Sequence, residues 1–150
     1  GELDFDPVLH NGYQQSQVLE HDLLEAQREI HWAEHLVLVY PVWWGGLPSL
    51  LSGFLDRVLL PGFAFKSHGR KSPANELLRG RTAELLVTMD TPPRYFRWVY
   101  GAPAHRQMVR TVLAFCGIKT KRLTEFAPVQ TSTEEQRQQW LRQAEQLGKR

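Results

Sequence analysis

A chain of 150 residues, 42% hydrophobic and 23% charged, has the size and make-up of one globular domain able to bury a core. A formal net charge of +2 is too mild to argue for nucleic acid, and no apolar run reaches the roughly 18 residues of a membrane span. The one cysteine, Cys116, excludes an intrachain disulfide and fits a reducing compartment.

Residues 1–14 carry the turn signals Asp6-Pro7 and Asn11-Gly12 and read as loop. Ser16 can cap a helix in which Leu19, Leu23, Ala26, Ile30 and Ala33 recur at helical spacing. Glu20, Asp22, Glu25, Arg28 and Glu29 lie on its other face and read as solvated. Val37-Leu38-Val39-Tyr40 is a short β-branched, apolar run, hence a buried strand that stops at Pro41. Trp43-Trp44-Gly45-Gly46 follows, two large aromatics beside two residues that permit close backbone approach. From Pro48 the apolar period changes: Leu47, Leu50, Leu51, Phe54, Leu55, Val58 and Leu59 share a helical face, and Pro61-Gly62 ends it. Strand, aromatic-glycine loop and helix form the place where an open parallel sheet binds ligands.

A connection of about twenty residues follows the helix, long for a compact domain. Its basic tract, Lys66, His68, Arg70 and Lys71, reads as solvated. Ala83 to Thr88 is the second strand, leading into an aromatic, proline-bearing loop from Met89 to Tyr100. Pro103 opens a helix with Met108, Val109, Val112, Leu113 and Cys116 inward, and Gly117 is its left-handed C-cap. Lys119 to Phe126, more polar, reads as a third strand at a sheet edge. Ser132 and Glu135 form a capping-box pair for a last helix packed through Trp140, Leu141, Ala144 and Leu147. Strands alternating with helices mean an α/β fold with a parallel sheet.

Weaker constellations carry little. His31 and His35 stand four apart without a third ligand, so no metal site is expected. Cys116 falls on an apolar helix face and reads as a buried structural thiol. Ser49 and Ser52 sit in no G-x-S-x-G turn, which leaves a hydrolase unsupported.

The stretch YPVWWGGLPSLLSGFLDRVLLPGFAF resembles the middle of the flavodoxin-like NAD(P)H:quinone oxidoreductases. That family holds quinone reductases, modulators of drug activity and ancillary subunits of potassium-efflux systems. The likeness continues through Thr88-Met89-Asp90-Thr91-Pro92 and GAPAHRQMVRTVLAFCGIK towards the C-terminus. It implies a flavodoxin-like three-layer sandwich and a flavin cofactor, FMN or FAD, reduced by NAD(P)H. It also implies that two electrons pass from NAD(P)H through the flavin to a quinone or similar small-molecule acceptor, in a cytoplasmic homodimer. Against the family pattern the chain lacks the first strand, phosphate loop, first helix and second strand, so the strand from Val37 is expected to show an unpaired edge. The likeness places Pro41, Val42, Trp43, Trp44 and Gly45 along the isoalloxazine and Thr88, Met89, Asp90 and Thr91 in the facing loop. It places Phe63 and Phe65 at the acceptor pocket. The tyrosine and histidine that the family's quinone reductases keep near the flavin match Arg97 and Pro103 here, leaving Tyr95, Tyr100 and His105 as substitutes. The competing expectation is a regulatory subunit on a potassium-efflux transporter.

Overall fold

The parallel sheet is built where the sequence concentrates β-branched and aliphatic residues. A computed structural model describes residues 3–13, 17–66 and 75–149, and the basic residues His68, Arg70 and Lys71, like the cap Ser16, lie outside them. Strands β1 (His35–Pro41), β2 (Thr82–Thr88) and β3 (Lys119–Phe126) pair in the order β1-β2-β3, all parallel. Leu38 stands opposite Leu85, and Leu85 opposite Leu123. The central strand is apolar on both sides, with Ala83, Leu85, Leu86 and Val87 buried, as a doubly covered parallel strand requires. Lower polarity would not suit β3, which forms one edge of the described sheet. The other edge is β1, where Val37 and Val39 remain exposed on one face.

Among the described residues, the main helical segments are α1 (His21–Trp32), α2 (Ser49–Val58), α3 (Pro93–Trp98), α4 and α5 (Glu134–Gly148). The fourth runs through Pro103–Arg106, a π-wound stretch Gln107–Leu113 and Ala114–Cys116. Leu55, Val58, Met108, Leu113 and Cys116 bury against Tyr40, Leu85 and Val87, with Ala26 and Ile30 of α1 beside them, so three helices cover one face. On the opposite face α5 sets Trp140 5.9 Å from Phe126. Gly117, at φ +88, ends α4 in the left-handed conformation, as its position predicts.

Several local expectations change. The first helix starts at His21, not after Ser16: Glu20, at its N-cap, is extended and its carboxylate turns aside to bind Arg57. The Met89–Tyr100 loop contains a helix, Pro93–Trp98, nucleated by Pro93 in its first turn and anchored by the buried Phe96. The cap of the last helix is Thr133, whose hydroxyl accepts from the Gln136 amide at 3.2 Å; the Ser132 hydroxyl instead donates to the Val129 carbonyl. Leu141 faces solvent rather than the sheet, and no residue of α5 is fully buried.

The extended N-terminal segment is fastened by carboxylates. Arg57 of α2, fully buried, donates to the carbonyls of Asp6 and Val18 and to Glu20 at 2.8 Å. The Asp4 amide donates to Asp22 at 2.8 Å, the Asp6 amide to Glu20 at 3.2 Å and the Val8 amide to Asp6 at 2.9 Å. Glu20 and Asp22, read from sequence as solvated, are therefore fasteners.

All three carboxyls are held below their ordinary range. The Val8 amide and then His10 lower Asp6, and the Asp4 amide lowers Asp22. For Glu20, desolvation pushes upward but is outweighed by Arg57, its own amide and that of Asp6. Groups depressed in the folded state stabilise it above the unfolded carboxyl range, and that contribution disappears as pH falls through the folded values. Acidification from neutral pH to about 3 is expected to strip hydrogen-exchange protection from the Asp4, Asp6 and Val8 amides before those of β2. Equal loss across both regions contradicts this fastening.

Candidate functional site

The C-terminal ends of β1 and β2 carry the site. The Val42 amide donates to the Thr88 carbonyl at 2.8 Å, so strand pairing continues to the edge of the next turn. There Trp43 and Gly46 exchange two backbone hydrogen bonds, 3.2 Å and 2.9 Å, closing a four-residue turn. Both central residues have positive φ, +52° at Trp44 and +75° at Gly45, the conformation of a type I′ turn. Gly45 meets that demand without penalty, whereas a tryptophan in the left-handed region is strained by about 1 kcal/mol. The outcome is that Trp44 projects fully into solvent and Trp43 is 61% exposed. The turn's own bonds use only Trp43 and Gly46, leaving the amides of Trp44 and Gly45 outside the pairing.

A cleft of about 800 Å³ opens beside this turn, within the range of small-molecule sites. Val42, Trp43, Trp44 and Gly45 form one wall, and Asp90 and Thr91, just past β2, another. Tyr100 and Pro103 close the third side. The Asp90 carboxylate accepts from the Gln130 amide at 2.7 Å, which ties the loop after β2 to the one after β3. The Ala104 amide, in the first turn of α4, donates to the Gly45 carbonyl at 3.1 Å and fixes the third wall to the turn. Beneath the cleft Met89, Phe96, Ala102 and Ala104 form a small core of their own.

The residues expected along a flavin divide accordingly. Val42, Trp43, Trp44, Gly45, Asp90 and Thr91 line the cleft together. Pro41 and Thr88 are the last strand residues behind it, and Met89 is buried in the floor. Of the expected catalytic substitutes, Tyr100 lines the cleft and Tyr95 stacks edge-on against it, ring centroids 5.2 Å apart. His105 stands behind the wall, buried, with Nε2 2.9 Å from Glu125. Phe63 and Phe65 do not line this cleft: Phe65 packs on Phe115 at 4.9 Å and on Tyr13, along a separate cavity that includes Cys116. Burial pushes the Cys116 thiol up to about 11 and the Tyr40 phenol up to about 12, so neither ionises at neutral pH. Among the described residues no group of histidine, cysteine and acidic side chains could hold a metal ion.

Sequence reading missed Glu125 altogether; the family likeness set Pro103 at the position of a near-flavin histidine but gave the proline no role as a wall. Pro103 enters the cleft because Gly101 and Ala102 both take positive φ and fold the chain back, and the alanine gives no advance sign of it. Glu125 looked like one polar residue of an edge strand.

The family model described as the flavodoxin-like fold matches residues 1–147. Among curated relatives, an uncharacterized NAD(P)H oxidoreductase of Haemophilus influenzae is 28% identical over 132 residues, 85% of this chain and 64% of that protein. The ribosyldihydronicotinamide dehydrogenase [quinone] of Homo sapiens is 30% identical over 141 residues, 85% of this chain and 56% of that protein. The chain thus spans little more than half the length of these relatives. Among solved structures, Smu.1420 of Streptococcus mutans superposes with a TM-score of 0.75 at 28% identity, covering 95% of this chain and 76% of that one. General stress protein 14 of Treponema denticola, solved in complex with FMN, gives 0.59 at 25% identity, over 83% and 68%.

Proposed function

The chain belongs to the flavodoxin-like family, and from that premise we propose that it forms the flavin-facing part of an NAD(P)H-dependent oxidoreductase acting on a quinone or similar acceptor. The observation that carries this reading is the strained turn. It spends conformational energy to hold two tryptophans and two uncommitted amides at the mouth of a parallel-sheet cleft. A flat, ring-shaped group with polar atoms along one rim fits such a place: aromatic surface for its face, amides for its edge. FMN is the form favoured here, because a structural neighbour carries it. NAD(P)H is the co-substrate named by the relatives. A flavin held here would supply hydride-accepting, two-electron chemistry between a reduced nicotinamide and the acceptor.

The chain's own residues then have three tasks. Trp43 and Trp44 supply wall area and keep water from one side of the ring. The amides of Trp44 and Gly45, with the Asp90–Thr91 loop, would hold its polar rim. Tyr100 offers a phenol O–H on the far wall, placed to donate to an acceptor oxygen as charge develops there. In the full-length protein, incubation with FMN and removal of the excess should leave a yellow protein that oxidises NAD(P)H when a quinone is supplied. A protein that retains no FMN and shows no quinone-dependent oxidation overturns the proposal.

A further inference from the structure

A carboxylate outside the cleft ties its third wall together. Glu125 is the next-to-last residue of β3, its side chain only 12% exposed. Its two oxygens take partners from two different elements. Oε1 lies 2.9 Å from Nε2 of His105, in the first turn of α4, and Oε2 accepts from Nη2 of Arg97, on α3, at 3.1 Å. We infer that Glu125 is a positioning residue: it locks α3 to α4 and so sets where Tyr100, between those helices, and Pro103, the first residue of α4, stand opposite Trp43.

Besides Glu125, this wall is held by the small core of Met89, Phe96, Ala102 and Ala104 and by the Ala104–Gly45 backbone bond. A helix of six residues has no stability of its own. Tyr95, Trp98, Val99 and Tyr100 are all about half exposed or more, so packing anchors the segment only through Phe96 and Ala102. His105 has no second anchor either. To donate to the carboxylate its proton must sit on Nε2, and among the described residues Nδ1 has no hydrogen-bond partner. Apart from the edge of Phe96, 5.1 Å between centroids, Glu125 alone orients the imidazole. Screened from water, a carboxylate shared by two donors is a strong constraint.

The functional consequence rests on reading the cleft as a flavin site, so the test keeps the two apart. In full-length protein, Glu125→Gln should speed hydrogen exchange across residues 91–103 and weaken FMN binding, each roughly tenfold, as loss of one charge-assisted bond implies. The amides of β2 should keep their protection. Arg97→Gln, which removes only the exposed arm, should shift both readouts the same way by less and cannot be blamed on misfolding. Unchanged exchange at 91–103 overturns the inference, and so does faster exchange with unaltered FMN affinity, which leaves Glu125 a merely structural link. If the unsubstituted protein takes up no FMN, the flavin reading falls. The exchange measurement then decides by itself whether Glu125 holds the wall.

Discussion

Trp44→Ala in the full-length protein is expected to weaken FMN binding by roughly 5- to 150-fold, the range for losing one aromatic stacking partner of about 1–3 kcal/mol. NAD(P)H oxidation at limiting FMN should fall in parallel. The indole is entirely exposed, so its removal leaves no cavity and breaks no core contact. A drop in binding would therefore not be a symptom of unfolding. Trp44→Gly sharpens the test. Glycine adopts φ +52° freely, so this variant should melt no lower than the parent and even somewhat higher, while binding FMN as poorly as the alanine form. Stability and affinity would then move in opposite directions at one position, as a residue held in strain for a ligand requires. FMN affinity unchanged in both variants would remove Trp44 from the site.

Arg57→Ala is expected to cost stability rather than affinity. The substitution strands two backbone carbonyls, of Asp6 and Val18, and removes the cation beside Glu20, whose side chain is one-third exposed. Leaving a buried hydrogen-bond acceptor unsatisfied costs about 1–3 kcal/mol, and two carbonyls are affected here, while the part-exposed ion pair adds little. For a domain of this size that lowers the melting temperature by on the order of ten degrees. Arg57→Lys should recover only part of the loss, because a single ammonium cannot reach acceptors that the planar guanidinium spans. The variant that remains folded should bind FMN nearly as well as the parent, since α2 touches the cleft only through the turn that precedes it. An unchanged melting temperature would show that the N-terminal segment is held by something else.

The contrast between these two sites explains what could be read in advance. The three strands and the long helices announce themselves by period: Val37 to Tyr40 and Ala83 to Thr88 are apolar runs that no helix face would need, and Leu51, Leu55 and Val58 repeat at helical spacing. The cleft was legible because its walls sit next to strand ends in sequence, as Val42 to Gly45 and Asp90-Thr91 do. What stayed hidden depends on partners far apart in the chain. Glu20 meets Arg57 37 residues on, and His105 meets Glu125 20 residues on, and neither pairing leaves a periodic trace. The Thr133 cap was missed by one residue because Ser132 and Thr133 offer the same hydroxyl; only the turn formed with Val129 decides which one faces the helix. The short helix at Pro93–Trp98 was masked by its prolines and exposed aromatics, since its only buried side chain is Phe96.

In the function proposed here, the turn at Trp43–Gly46 and the loop at Asp90–Thr91 hold a flavin that takes electrons from NAD(P)H and gives them to an acceptor. The most direct test of this function is anaerobic. Full-length protein loaded with FMN is mixed with NADH or NADPH while the visible flavin band is followed, and a quinone is then added. The band should bleach with at least one of the two nucleotides and return on addition of the quinone, with Trp44→Ala slowed or unable to hold the flavin through the cycle. A flavin that stays oxidised in the presence of both nucleotides would contradict the account.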